Sequence, residues 1–167
     1  MMTNREPKLG EILVRKGWID AGTLENALKK QASTRKFLGQ ILLSDKNISE
    51  EQLAMALSEQ NKIPFIRLTD FSVDWTLVMR FSAALILNRQ CFPLRSHSAE
   101  ITFAITNVLD AWTLLQIETE ARGYPIKLVL ITQSDMNDLL ERFRQYVNIK
   151  MRKQFDSKQS PGPPDGK

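Results

Sequence analysis

The residues of this 167-residue chain best suited to binding are written twice, 29 positions apart. KLGEILVRKGWIDAGTLENALKKQ (8–31) is followed by FLGQILLSDKNISEEQLAMALSEQ (37–60). Gly10 and Gly39 stand near the start of an apolar run in each copy. Glycine costs stability inside a helix, so it marks a close approach of backbone to something. Gln31 and Gln60 end apolar stripes made by Leu24 and Leu28, and by Leu53 and Leu57. A side-chain amide beside an apolar stripe supplies both donors and acceptors. The chemistry this pattern suits is non-covalent: two similar half-sites for a ligand with two similar halves.

Groups for covalent or acid–base chemistry are scarce. The single histidine, His97, falls in an expected turn and reads as a solvated surface group, with only its near-neutral titration to argue otherwise. Cys91, the single cysteine, leads an expected strand with no histidine near it in sequence, and reads as a buried structural thiol. The chain has no G-x-x-x-x-G-K-[ST] loop, no G-x-S-x-G elbow and no Cys/His metal spacing. Neither enzymatic activity nor a metal or cofactor is expected.

The elements that must position these residues are helices. Leu24, Leu28 and Gln31 follow i, i+4, i+7 spacing, as do Leu53, Leu57 and Gln60. Asp20 and Ser49 occupy N-cap positions, and Ser49 with Gln52 forms a capping-box pattern. Short helices over LGEILVRKG and LGQILLSDK precede these caps, giving two helix–turn–helix units that end near Asn61. Gly17 suits the C′ position after the first helix; its counterpart is Lys46, so a differently built second turn is expected. Pro64 then closes the unit. Residues 67–79 read as a connector and 82–88 as a helix. Residues 91–95 and 100–106 read as strands around a turn at 96–99, followed by a helix (109–122), a strand (125–131) and a helix (135–147) capped by Ser134. The expected class is α+β: a four-helix tandem repeat (1–66), then a small α/β subdomain with about three strands and three helices (67–147). A basic, disordered tail is expected over 148–167.

The composition fits such a chain. It is 43% hydrophobic and 25% charged, a globular balance, and one cysteine excludes an internal disulfide framework and suits a reducing compartment. No apolar run is long enough for a bilayer, and the opening MMTNREPK lacks a signal peptide's apolar stretch, so a cytoplasmic location is expected. The net charge is +4, concentrated in the repeat and the tail. No basic helical stripe with interleaved aromatics appears, so nucleic acid is not an expected partner.

The two copies agree at 9 of 24 positions: Leu9/Leu38, Gly10/Gly39, Ile12/Ile41, Leu13/Leu42, Ile19/Ile48, Leu24/Leu53, Ala27/Ala56, Leu28/Leu57 and Gln31/Gln60. A duplicated amphipathic hairpin, each copy covering the other's apolar face, accounts for most of them. The doubled motif, its five-residue spacer (Ala32 to Lys36) and the later CFPLR and ITFAITNVLD stretches also resemble the MshEN domain, or type II secretion E N-terminal domain, over about residues 7–147. The pattern is RLGxx, two aliphatics, xxG, two aliphatics, xxxxLxxxLxxQ, written twice. The resemblance implies a cyclic di-GMP receptor module. Carried over by position, the ligand contacts would be Lys8, Leu9, Gly10, Leu24, Leu28 and Gln31, then Phe37, Leu38, Gly39, Leu53, Leu57 and Gln60, with Asn107 from the second half. It implies partners too: assembly ATPases of pili and secretion systems, or membrane glycosyltransferases, reached at the cytoplasmic face of the inner membrane without insertion into it.

The chain departs from that pattern at four places. Lys8 and Phe37 stand where the motif has arginine: lysine keeps the charge but loses the planar fork, and phenylalanine keeps only a stacking face. Lys46 replaces the second motif's inner glycine. Asn107 stands where the family often has an acidic residue, and an amide accepts less strongly than a carboxylate. Arg5, Arg35 and Lys36 are nearby sources of positive charge. These departures favour an alternative expectation, a protein-docking module that no longer binds nucleotide.

Overall fold

Each copy of the repeat folds as a short helix, a tight turn and a longer helix. In the computed structural model, which describes residues 6–159, these are α1 (Leu9–Arg15), α2 (Ala21–Thr34), α3 (Leu38–Ser44) and α4 (Glu50–Asn61). Arg5 and the Pro/Gly-rich end expected to be disordered lie outside the described residues. The caps are those the sequence implies. Asp20 accepts from the Thr23 amide at 2.7 Å. Ser49 and Gln52 bond reciprocally, at 2.8 and 3.1 Å.

The turn after α3 differs from expectation. Gly17 (φ +69°) and Lys46 (φ +57°) both adopt the left-handed conformation. After α1 the Gly17 and Trp18 amides donate to the carbonyls of Val14 and Leu13; after α3 those of Lys46 and Asn47 donate to Leu43 and Leu42. The second turn is therefore the same Schellman motif as the first. Closing two orphan carbonyls outweighs the left-handed cost of a lysine, about 1 kcal/mol.

The two copies bury a shared core. Ile12, Leu13, Ile19 and Ala27 cluster with Ile41, Leu42, Ile48 and Ala56. Salt bridges tie the rim: Arg15 and Lys16 both reach Glu59 on α4, and Lys30 on α2 reaches Asp45 at 2.6 Å.

The second half is built around a three-stranded sheet in the order β1 (Phe92–His97), β2 (Glu100–Ile105), β3 (Ile126–Leu130). β1 and β2 are antiparallel; β2 and β3 are parallel, joined through α6 (Ala111–Ala121). The hairpin is tighter than expected. Ser98 and Ala99 both take positive φ, so a two-residue turn replaces the expected 96–99 loop and β1 runs on to His97. The expected connector 67–79 is also ordered: it holds a 3-10 turn (Leu68–Asp70) and α5 (Trp75–Val78), capped by Asp74, with Leu68, Leu77 and Val78 buried. The expected 82–88 helix is a π-helical turn, Ala84–Asn88.

The last helix, α7 (Gln133–Gln159), begins and ends elsewhere than expected. Thr132, not Ser134, is the cap: its hydroxyl accepts from the Asp135 amide at 3.1 Å. Its C-terminal end continues past 147 because nothing between 148 and 159 breaks a helix, so the expected disordered tail is helical as far as Gln159. Met136, Leu139, Leu140 and Phe143 of α7 join the sheet's core. Among the described residues no helix is long and apolar enough to cross a membrane.

Three links join the halves. Residues 64–66 run beside β3: Leu130 donates to the Pro64 carbonyl at 2.8 Å, and Ile66 donates to the Leu130 carbonyl at 2.9 Å. Arg67 pairs with Glu51. The Glu50 carboxylate accepts from the Ser134 amide at 2.8 Å, joining the starts of α4 and α7.

Candidate functional site

Burial divides the nine shared repeat positions into two groups. Gly10/Gly39, Ile12/Ile41, Leu13/Leu42, Ile19/Ile48 and Ala27/Ala56 are buried in both copies. Leu9/Leu38, Leu24/Leu53, Leu28/Leu57 and Gln31/Gln60 keep some exposure in both. Mutual packing of the copies accounts for the first group. The second group sits at the edge of that packing: Leu9, Leu24, Leu38 and Leu53 pack on the repeat core and Leu57 on the sheet core, yet each stays partly exposed.

A cleft of about 540 Å³ collects part of that second group. Leu38 and Gly39 at the start of α3, Leu53 and Leu57 on α4, and Leu9 of α1 line it. Gln31 reaches it from the end of α2, so the first copy's glutamine joins the second copy's leucines. Phe37, the N-cap residue of α3, stands at its edge, 68% exposed. The opposite wall comes from the sheet. Thr106 and Asn107 follow β2 directly, and Ile131 to Gln133 follow β3. The carboxyl ends of two parallel strands thus open onto the cleft, a common location for ligand sites in α/β folds.

Five of the named candidates lie elsewhere. Gly10 is buried beneath Leu24: a β-carbon there would stand 2.6 Å from Leu24 Cδ1. Gly39 has the same relation to Leu53, at 2.8 Å, although it also borders the cleft. The close approach that the glycines mark is therefore made by each motif's own leucine. Leu24 packs on the first core, Leu28 is 46% exposed, and Lys8 is the exposed N-cap residue of α1. Gln60 is half-buried on α4 and does not line the cleft.

The cleft also contains residues that the motif does not name. Glu50 and Ala54 share the α4 face of Leu53 and Leu57, a spacing readable in the sequence. Gln40 and Leu43 belong to α3 in the same way. Thr106, Ile131, Thr132 and Gln133 carry no sequence signal, because only strand pairing brings them to the repeat.

Electrostatically the cleft is poor in cations. Glu50 is the one ionisable side chain among its lining residues. Lys8, Arg35 and Lys36 are exposed outside it. A smaller depression of about 240 Å³ adjoins at Thr106 and Asn107, where Arg89 approaches Asp110 at 3.8 Å. Hydrogen bonds from Thr113 hold the Asp110 carboxyl below its ordinary value. Burial pushes the Cys91 thiol up to about 12, which keeps it protonated and unreactive at neutral pH. His97 is exposed at the end of β1. Among the described residues no group of three or more His, Cys, Asp or Glu side chains gathers.

The geometry has known counterparts. The structure of MshE with cdg superposes with a TM-score of 0.72, covering 81% of this chain and 98% of that one at 24% identity. The N-terminal domain of XpsE gives 0.64, covering 84% and 98% at 18% identity. In sequence, the chain is 42% identical over 85 residues to the type IV pilus assembly ATPase PilB of Thermus thermophilus. That stretch is 51% of this chain and 9% of PilB. It is 26% identical over 128 residues to bacteriophage adsorption protein B of Escherichia coli K12, which is 77% of this chain and 17% of that protein. The chain thus spans a small part of the length of these relatives. The MshEN domain profile matches residues 61–147, from the last turn of α4 into α7. A profile match over more than half of its length and a shared α+β fold establish that this chain belongs to the MshEN domain family.

Proposed function

We propose that this chain is a non-catalytic regulatory module that binds cyclic di-GMP in the cleft between the helical repeat and the sheet. The observation that carries the reading is the cleft's composition: Leu38, Leu53 and Leu57 supply apolar surface for a base, with Gln31 and Asn107 offering polar contacts on either side. The fold shared with MshE, solved with cdg, supports it. In this reading the two-fold nucleotide extends from the cleft toward the exposed Leu28 and Phe37, with Lys8, Arg35 and Lys36 available to its phosphates. No metal or cofactor is required. The helical half (1–66) and the sheet half (67–147) both line the site, and ligand held there reports to a pilus or secretion ATPase or to a glycosyltransferase at the cytoplasmic face of the membrane.

Calorimetric titration with cyclic di-GMP, with GTP and cyclic di-AMP as controls, tests the reading. Guanine-selective binding at about one ligand per chain, weakened about tenfold in Gln31→Ala, is the expected result. Absence of both heat and thermal shift at high ligand concentration would overturn it. The scarcity of cations in the cleft favours a second reading, a docking module without nucleotide, which that result would leave standing.

A further inference from the structure

We propose that Glu50 is a specificity-determining residue of the cleft, reading the hydrogen-bonding edge of a guanine; this rests on the cyclic di-GMP reading above. Glu50 is the first residue of α4, one turn before Leu53 and Ala54, so its side chain borders the apolar surface on which a base would lie. It is half-buried, and its Oε2 accepts from the Ser134 amide at 2.8 Å, which fixes the carboxylate against the start of α7. Oε1 has no hydrogen-bond partner among the described contacts, and Glu50 lines the cleft.

Charge decides which part of the ligand meets it. A carboxylate in a cleft lined by no cation repels phosphates and attracts donors. Guanine presents two adjacent donors, N1–H and the N2 amine, which a carboxylate accepts in parallel as a charge-assisted pair. Adenine presents a lone pair at N1 to the same group and is disfavoured. Asn107 competes poorly for this role: its Oδ1 already accepts from the Val108 amide at 2.8 Å, and an amide carries no charge. The guanine of one ligand half therefore lies with its donor edge on Glu50, and the phosphates lie away from that carboxylate.

The test compares cyclic di-GMP, cyclic di-IMP (which lacks only the N2 amine) and cyclic di-AMP on the whole chain and on Glu50→Gln. Glutamine keeps an acceptor for the Ser134 amide and removes the charge, so the thermal midpoint should hold. The wild-type chain is expected to prefer cyclic di-GMP over cyclic di-IMP about tenfold. Glu50→Gln is expected to weaken cyclic di-GMP about tenfold and to bring that preference close to one. A wild-type preference near one, which needs no variant, overturns the inference. So does cyclic di-GMP binding that is unchanged or tighter in Glu50→Gln, as a carboxylate facing phosphate would give. Failure of the wild-type chain to bind any of the three is a separate result: it removes the cyclic di-GMP reading and this inference with it.

Discussion

The Leu24 side chain lies directly on the backbone of Gly10, and Leu53 lies on Gly39 in the same way. A methyl group added at either glycine would stand 2.6 or 2.8 Å from a leucine Cδ1, closer than carbon atoms approach without a shift. The doubled glycine is thus a packing device within each helical hairpin. Its repetition needs no ligand to explain it, even where Gly39 also borders the cleft.

Gly10→Ala and Gly39→Ala should each destabilise the fold by about 1–2 kcal/mol, since a leucine must leave its rotamer to admit the methyl group. Leu24→Ala should absorb much of the Gly10→Ala cost in the double variant. Chemical denaturation of the four chains of that cycle measures the coupling. Additive costs would show that the two side chains do not share the space.

The two Schellman turns make opposite predictions. Gly17→Ala should cost about 1 kcal/mol, because φ is +69° and nothing lies near the missing β-carbon to reward a side chain. Lys46→Gly should raise stability by about 0.5–1 kcal/mol, relieving a left-handed lysine at φ +57°. Thermal unfolding of both variants decides whether the turns are equivalent.

Acid should loosen the helix starts. Hydrogen bonds from Thr23 to Asp20, and from Thr113 to Asp110, hold both carboxyls below the ordinary 3.8. A carboxylate whose folded-state value is depressed stabilises the fold above its unfolded value and loses that contribution as pH falls through the folded one. The thermal midpoint should therefore be insensitive to these two groups from pH 7 to about 5 and should fall below about pH 4. Asp20→Asn with Asp110→Asn keeps the cap acceptors without the titration, so its decline in acid should be shallower.

Much of this architecture is legible in the amino-acid sequence. Local chemistry specifies the caps at Asp20 and Ser49, and spacing specifies the leucine and isoleucine faces of the repeat. The fold departs from expectation where a local rule meets a stronger non-local interaction. Lysine is a poor residue for a left-handed turn, but two backbone hydrogen bonds hold Lys46 there. Residues 67–79 read as a connector because their apolar residues have no period, yet Leu68, Leu77 and Val78 pack on the core. Residues 148–159 read as a tail from their charge, but charge alone does not break a helix, and α7 runs through them.

The candidate site divides along the same line. The tandem repeat, its helices, its family resemblance and the stripes of leucine ending in glutamine are all readable from the chain, because each is a pattern of residue types at fixed spacing; which leucines stay exposed is decided by packing. Three-dimensional packing was needed to show that Gln31 joins the second copy's leucines, that Asn107 and Thr132 face them, and that Glu50 brings a carboxylate into the cleft. Those positions lie up to about a hundred residues apart in the chain. They meet because β2 and β3 run parallel and end together against α4, an arrangement set by packing and not by any local pattern.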